Sequence, residues 1–214
     1  MKPFRTFDGK TIENVVSYLS EQLTINPYLT ISVGCDSAPG EPIIFVTTIM
    51  LYDSQLKKGA HVIYNREIHR NKPMTTYMRL QREYELALEM ANFLDERLKS
   101  FYSRKDLTEM ERKRYKYHLL RNNGLYGNID SMYEDNVIKN LTLSDVEKDT
   151  EFKLVDIHVD YNSKEGYIDK KGNPKHKSNI SYKSWVPYVR SLGYRVFVKP
   201  AAVAASSAAD LLLH

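Results

Sequence analysis

The stretch Thr30-Ile31-Ser32-Val33-Gly34-Cys35-Asp36-Ser37 predicts a buried β-strand that ends on a carboxylate and a hydroxyl. Side chains alternate between the two faces of a strand. Alternation divides this strand into an apolar face, Ile31, Val33 and Cys35, and a face of small or polar residues, Ser32, Gly34 and Asp36. The first face is suited to the core, and the second leads to Asp36. Because Cys35 lies on the apolar face, we interpret it as a small buried side chain and not as a nucleophile.

The composition is that of a soluble globular protein. Of 214 residues, 42% are hydrophobic and 27% are charged, and no apolar run approaches the length of a membrane span. The start of the chain lacks the apolar region of a secretory signal, and a single cysteine cannot form an internal disulfide. We therefore expect one cytoplasmic domain over residues 1–214 that does not contact a membrane. The net charge of +4 permits nucleic-acid binding without proving it.

Hydrophobic periodicity predicts an α/β fold. The predicted elements are a helix at about 11–23 with Thr11 as its cap, strands at about 30–37, 43–52 and 60–68, a helix at about 74–101, a strand at 152–160, a helix at about 182–192, a strand at 194–199 and a closing helix at 201–214. The first three strands have short connections, which favour an antiparallel meander, and the last two follow helices, which favours parallel crossovers. The prediction is a mixed five-stranded sheet, three antiparallel strands and then two parallel ones, flanked by helices.

Residues at about 102–151 are interpreted as a charged helical insertion. Basic residues and aromatics alternate in its first half, and acidic residues dominate its second half. The basic half could contact phosphates and stack on bases, or it could pair with the acidic half in a solvated hairpin. The sequence leaves both interpretations open.

Four carboxylates are predicted to converge at one edge of the sheet. Asp36 and Asp160 each end a strand, and the carboxyl ends of adjacent parallel strands form the usual ligand crevice of α/β sheets. Glu83 lies on the buried stripe of its helix, and helical spacing places Asp210 on the inner face of the closing helix. Singly, each acid has a structural alternative: Asp36 could cap a turn through Ser37, Glu83 could pair with an arginine of its helix, and Asp210 could be solvated.

Clustered carboxylates repel one another unless a cation neutralises them. Oxygen-only ligands suit Mg²⁺ or Mn²⁺, and two such ions could bind the attacking and leaving oxygens of a phosphodiester. His158 shares the face of Asp160 and could orient a ligand or move a proton, or it could be a structural histidine. Asp156 shares that face too, but it lies deeper in the strand, so we prefer Asp160.

The chain resembles the YkuK-type family of ribonuclease H-like proteins. The resemblance rests on Val33-Gly34-Cys35-Asp36-Ser37, Arg79-Leu80-Gln81-Arg82-Glu83, Ile157-His158-Val159-Asp160, and Lys199-Pro200 followed by Ala204-Ala205-Ser206-Ser207 and Ala209-Asp210. It implies a ribonuclease H-like fold and a divalent-metal site in which Asp36, Glu83, Asp160 and Asp210 are the acids. It breaks at residues 102–151 and 162–181, and it implies no particular substrate.

Several residues are predicted to contact a substrate. Lys175 and Lys177 belong to a basic loop after Asp160 that could hold a phosphate backbone or be a plain surface loop, and Ser37 and Lys199 end strands at the same edge. The predicted function is a metal-dependent nuclease acting on RNA, an RNA–DNA hybrid or structured DNA. The alternatives are a non-catalytic nucleic-acid-binding or scaffold protein and a small-molecule phosphohydrolase.

Overall fold

The computed structural model describes residues 2–26, 29–53, 60–70, 73–99, 153–162, 178–199 and 202–213. The chain divides into two units, Met1–Leu98 with Lys153–His214, and Lys99–Phe152. Apart from Lys99, the described residues belong to the first unit. The predicted insertion at 102–151, Lys175 and Lys177 lie outside the described residues, so their interpretation stays a prediction.

The described residues form one mixed sheet of seven strands. The strands are β1 (Phe4–Thr6), β2 (Thr11–Ile12), β3 (Leu29–Ala38), β4 (Ile43–Asp53), β5 (Ala60–His69), β6 (Val155–Asn162) and β7 (Val196–Lys199), in the order β2-β1-β5-β4-β3-β6-β7. The prediction of five strands was wrong, because it missed β1 and β2. Strands of three and two residues are too short for a periodic pattern, and β1 exists through its pairing with β5.

Helices lie beside this sheet in the chain order α1 (Val15–Ile25), α2 (Thr76–Lys99), α3 (Ser178–Ser191) and a π-helix (Ala204–Ala209). Helix α1 begins later than predicted, because Thr11 pairs with Arg5 in the sheet and Asn14 is the cap. The Asn14 side chain accepts a hydrogen bond from the backbone N–H of Ser17 at 3.0 Å. No described helix has the length and apolar character needed to cross a membrane.

The predicted neighbours in the parallel part of the sheet are confirmed. Strand β3 pairs with β6 in parallel, and the register places Gly34 opposite His158. Asp36 and Asp160 each lie two residues beyond these partners, so both carboxylates occur where adjacent strands end. Strand β6 in turn pairs in parallel with β7, which ends on Lys199.

The two faces of β3 differ as the alternation predicts. Ile31, Val33 and Cys35 are buried, and burial raises the pKa of the Cys35 thiol well above its ordinary value. On the other face, the π-helix crosses β3 at Gly34. A Cβ atom on Gly34 would lie 2.5 Å from the backbone nitrogen of Ala205, a distance that real contacts do not allow. Glycine is therefore required here by a close approach of two backbones.

Candidate metal centre at the strand ends

Asp36 is half-buried at the end of β3, on the face that carries the π-helix. Its Oδ1 accepts a hydrogen bond from the backbone N–H of Ser37 at 2.8 Å. Burial raises the pKa of Asp36, and the negative charge of Asp210 adds to the increase, while the Ser37 hydrogen bond and the charges of Lys199 and Arg79 oppose it. Asp36 therefore lies within electrostatic reach of a second carboxylate and of two cations.

Glu83 approaches the same strand end from the opposite face of the sheet. Its side chain is 5% exposed, and its Oε1 accepts a hydrogen bond from the Ser37 hydroxyl at 2.5 Å. Burial raises the pKa of Glu83 to about 8; the Ser37 hydrogen bond opposes this shift, and the nearby charge of Asp36 adds to it. A carboxyl group with this pKa exchanges its proton near neutral pH. The buried position that the helical pattern predicted for Glu83 is confirmed.

Arg79 holds this arrangement together, a role that the sequence analysis did not assign. Its guanidinium donates to the carbonyl oxygen of Ser37 at 2.8 Å and to the Ser37 hydroxyl at 2.9 Å. Arg82, by contrast, turns outward to Glu67, Glu85 and Glu89. The one available signal was spacing, since Arg79 precedes Glu83 by four residues and so lies one helical turn away on the same face.

Asp160 is paired with Lys199. The Nζ atom of Lys199 lies 2.6 Å from Oδ1 of Asp160, which joins the ends of β6 and β7. The charge of Lys199 also lowers the pKa values of Asp36 and Glu83, so one ammonium group acts on three of the four predicted ligands. The structure thus places Lys199 at the predicted edge of the sheet.

Asp210 is near enough to Asp36 to raise its pKa, but it does not lie on a buried face as predicted. Its side chain is exposed, whereas the adjacent Ala208, Ala209 and Leu212 are buried. The prediction assumed the 3.6-residue period of an α-helix. The π-helix before Asp210 closes its turns with i→i+5 hydrogen bonds, so different residues face the sheet. The effect of Asp210 on the pKa of Asp36 still places its charge at the strand end.

The other polar residues of β6 have structural contacts. His158 is buried, and its Nδ1 accepts a hydrogen bond from the backbone N–H of Ala204 at 3.1 Å. Such a contact is expected of a structural histidine, the alternative to a role in proton transfer. Asp156 is also buried and forms a salt bridge with Arg195, whose Nε lies 2.7 Å from Oδ1 of Asp156. Asp156 therefore has a fixed cationic partner away from the strand end.

The donor set fits a hard divalent cation in chemistry and charge. All four predicted ligands are carboxylates, and burial and mutual repulsion at Asp36 and Glu83 would be relieved by a nearby positive ion. As the side chains stand, no three His, Cys, Asp or Glu groups of the described residues are arranged to hold one ion. Glu83 is bound to Ser37 and Asp160 to Lys199, so both must change partners for a metal to bind.

The raised pKa of Glu83 predicts that the metal-free protein loses stability as the pH rises. In the folded protein the Glu83 carboxyl group retains its proton up to about pH 8, whereas in the unfolded chain it releases the proton near its ordinary pKa of 4.5. The stabilisation is fully present below pH 4.5 and is lost between pH 4.5 and about 8. This stabilisation is at most ~5 kcal/mol, since one pKa unit corresponds to ~1.4 kcal/mol.

Urea unfolding across this pH range in EDTA measures the effect. Glu83→Gln should flatten the dependence of the unfolding free energy on pH, because the variant carries no titrating group there. Glu89→Gln changes a side chain on the same helix that is 65% exposed, and it should leave the dependence unchanged. A slope that persists in Glu83→Gln would assign the proton to another group.

Comparison with known proteins identifies one related family. The family model described as ribonuclease H-like matches residues 10–119, just over half of the chain. The matched span contains Asp36 and Glu83, and Asp160 and Asp210 lie beyond it. No curated protein and no solved structure matches the chain.

Proposed function

Because the chain belongs to the ribonuclease H-like family, we propose that it is a metal-dependent nuclease that hydrolyses phosphodiester bonds in RNA, an RNA–DNA hybrid or structured DNA by a two-metal-ion mechanism. The observation that carries the proposal is the gathering of charges at one strand end. Asp36 is electrostatically coupled to Glu83, Asp210 and Lys199, and Lys199 is bound to Asp160. Such a cluster is costly for a fold and is typical of functional sites.

Asp36, Glu83, Asp160 and Asp210 would hold the ions. Bound Mg²⁺ or Mn²⁺ supplies a Lewis acid and lowers the pKa of a coordinated water. The protein contributes position and charge: Arg79 holds Ser37 at the strand end, and the Glu83 carboxyl group would leave Ser37 and give up its proton as the ion binds. Lys199, displaced from Asp160, would place its ammonium group beside the anionic substrate.

A second candidate is a nucleic-acid-binding protein without catalysis. It is favoured by the salt bridge between Lys199 and Asp160, which neutralises a predicted ligand without any metal. In this alternative the fold and its basic residues are retained for binding, and the carboxylates are balanced by protein cations alone. The two candidates differ in whether the site takes up a divalent ion.

Two measurements test the proposal. The protein is incubated with Mg²⁺ or Mn²⁺ and a panel of single strands, duplexes, hybrids and junctions, and cleavage of at least one polynucleotide is expected. Titration with Mn²⁺, followed by the electron paramagnetic resonance of the free ion, should show uptake that Asp36→Asn weakens and Glu89→Gln does not. Binding of polynucleotides without cleavage and without Mn²⁺ uptake would establish the non-catalytic alternative.

A further inference from the structure

A second group of side chains lies on the same face of the sheet as Asp36, two strands away. Asp36 is opposite Val46, and Val46 is opposite Arg66 of β5. Tyr64 lies two residues before Arg66 and is opposite Arg5 of β1. Residues directly opposite each other project to the same face, so Arg66, Tyr64 and Arg5 share the face of Asp36. With strands ~4.8 Å apart, the backbone at Arg66 lies about 10 Å from that at Asp36.

Two aromatic rings and two guanidinium groups form this region. The Phe7 and Tyr64 rings have centroids 6.3 Å apart, and the guanidinium carbon of Arg66 lies 5.5 Å from the centroid of the Tyr64 ring. Arg66 is held in place by a hydrogen bond to the carbonyl oxygen of Leu212. Phe7 is 55% exposed, although it contacts Tyr64. We call Arg5, Phe7, Tyr64 and Arg66 the aromatic–arginine surface.

The charge of this surface is available to an anionic partner. Arg5 is exposed and forms no ion pair with any group of the described residues. Arg66 donates to the neutral carbonyl of Leu212, and within the part of the chain that the structure describes it forms no salt bridge. The nearby acid of the β1–β2 turn is Asp8, whose carboxylate accepts a hydrogen bond from the Thr6 hydroxyl. Cationic groups interleaved with an accessible ring are the combination that binds phosphates and stacks on unpaired bases.

We propose that the aromatic–arginine surface binds a single-stranded segment of the polynucleotide whose cleavage site lies at Asp36. This inference rests on the proposed function and specifies its substrate. The backbone separation of about 10 Å is short compared with a polynucleotide, and Ala209 and Leu212 cover Val46 between the two positions, so the bound segment passes over this cover to reach the scissile phosphate. Bases paired in a duplex are stacked on one another, and only unpaired bases offer their faces to Phe7.

The test is binding of the full chain to a fluorescein-labelled single-stranded oligouridylate of about 12 nucleotides in EDTA, measured by fluorescence anisotropy. Phe7→Ala should weaken binding ~5- to 100-fold, because it removes a stacking ring. Phe7→Leu keeps an apolar side chain against Tyr64 and should weaken binding nearly as much. The matched control is Tyr188→Ala on α3, which removes an aromatic ring that is 50% exposed and should leave affinity within about twofold.

Arg5→Ala tests the electrostatic part. Loss of one phosphate contact should lower the slope of log K against log [salt] by ~0.7, the value for one contact to a single strand. Arg190→Ala removes an exposed arginine of α3 and should not change the slope. Circular dichroism monitors the thermal unfolding of each variant, and a cooperative transition confirms that the fold is retained.

The outcomes separate this inference from the proposed function. If the protein binds the oligonucleotide without cleaving any substrate, and binding depends on Phe7 and Arg5, the aromatic–arginine surface is supported and the proposed nuclease activity is contradicted. If the protein cleaves a substrate but Phe7→Ala and Arg5→Ala bind the oligonucleotide as well as their controls, the aromatic–arginine surface is contradicted and the proposed nuclease activity stands. Two further results would overturn the inference: an equal effect of Phe7→Ala on duplex binding, or a concentration-dependent dimer that Phe7→Ala abolishes in sedimentation experiments, which would make the surface an interface between copies.

Discussion

Replacing Asp36 with asparagine is expected to lower metal-dependent cleavage by ~10³-fold or more while the fold remains intact. Loss of one ligand charge removes several kcal/mol of metal-based stabilisation from the transition state, and each 1.36 kcal/mol corresponds to a factor of ten in rate. Asparagine retains an oxygen that can accept the hydrogen bond from the backbone N–H of Ser37. The substitution also removes the repulsion between Asp36 and Asp210, so the unfolding free energy should be unchanged or slightly higher.

Asp156→Asn is the matched control, since it makes the same change on the same sheet. Asp156 is buried in a salt bridge with Arg195, so its neutralisation leaves a partly buried guanidinium without its partner. We expect Asp156→Asn to lose a few kcal/mol of stability and to cleave normally per folded molecule. Normal cleavage by Asp36→Asn, together with a loss of cleavage in Asp156→Asn, would show that the site is assigned to the wrong carboxylate.

Gly34→Ala is expected to destabilise the protein by about 3 kcal/mol or more. The new methyl carbon would lie 2.5 Å from the nitrogen of Ala205 and 2.7 Å from the carbonyl carbon of Ala204, and both contacts are to backbone atoms that cannot rotate away. Overpacking in a core costs ~1–3 kcal/mol, and more where the backbone itself must move. Thr48 would be affected as well, because its hydroxyl donates to the carbonyl oxygen of Ala204 at 2.7 Å.

Urea unfolding of the purified variant measures this loss. Ala38→Val adds methyl groups at a half-buried position on the same face of β3, and it should change the unfolding free energy by less than ~1 kcal/mol. If Gly34→Ala proves as stable as the parent protein, the π-helix does not lie against β3 at this distance. Because Asp210 follows that helix, destabilising Gly34→Ala should also weaken Mn²⁺ uptake.

The larger elements of the sheet could be predicted because each carries its own pattern. Strands β3 to β6 and helix α2 are long enough for their apolar periodicity to appear in the sequence. The buried face of β3 and the inward position of Glu83 followed from the same periodicity, and both are confirmed.

The contacts around the acids could not be predicted, since they depend on which side chains meet across elements. Ser37 joins Arg79 to Glu83, and Lys199 reaches Asp160 from the neighbouring strand. Spacing shows that Arg79 and Glu83 share a helix face, but it does not show that Ser37 joins them or that Lys199 meets Asp160, because these partners lie on different elements. The same is true of Phe7, a residue in a turn whose ring meets Tyr64 only after the β1–β5 pairing forms.

The sequence by itself determined strands β3 to β7, the apolar face of β3 and the positions of Asp36 and Asp160 at strand ends, because alternation and periodicity are local properties of a chain. Only the tertiary structure decided the charge state and partners of these groups. The pKa of Glu83 depends on burial beneath β3, and the pairing of Asp160 depends on the approach of β7. Gly34 shows both contributions. The sequence shows that this position is a glycine, and only the tertiary structure shows why, because the π-helix backbone crosses β3 there.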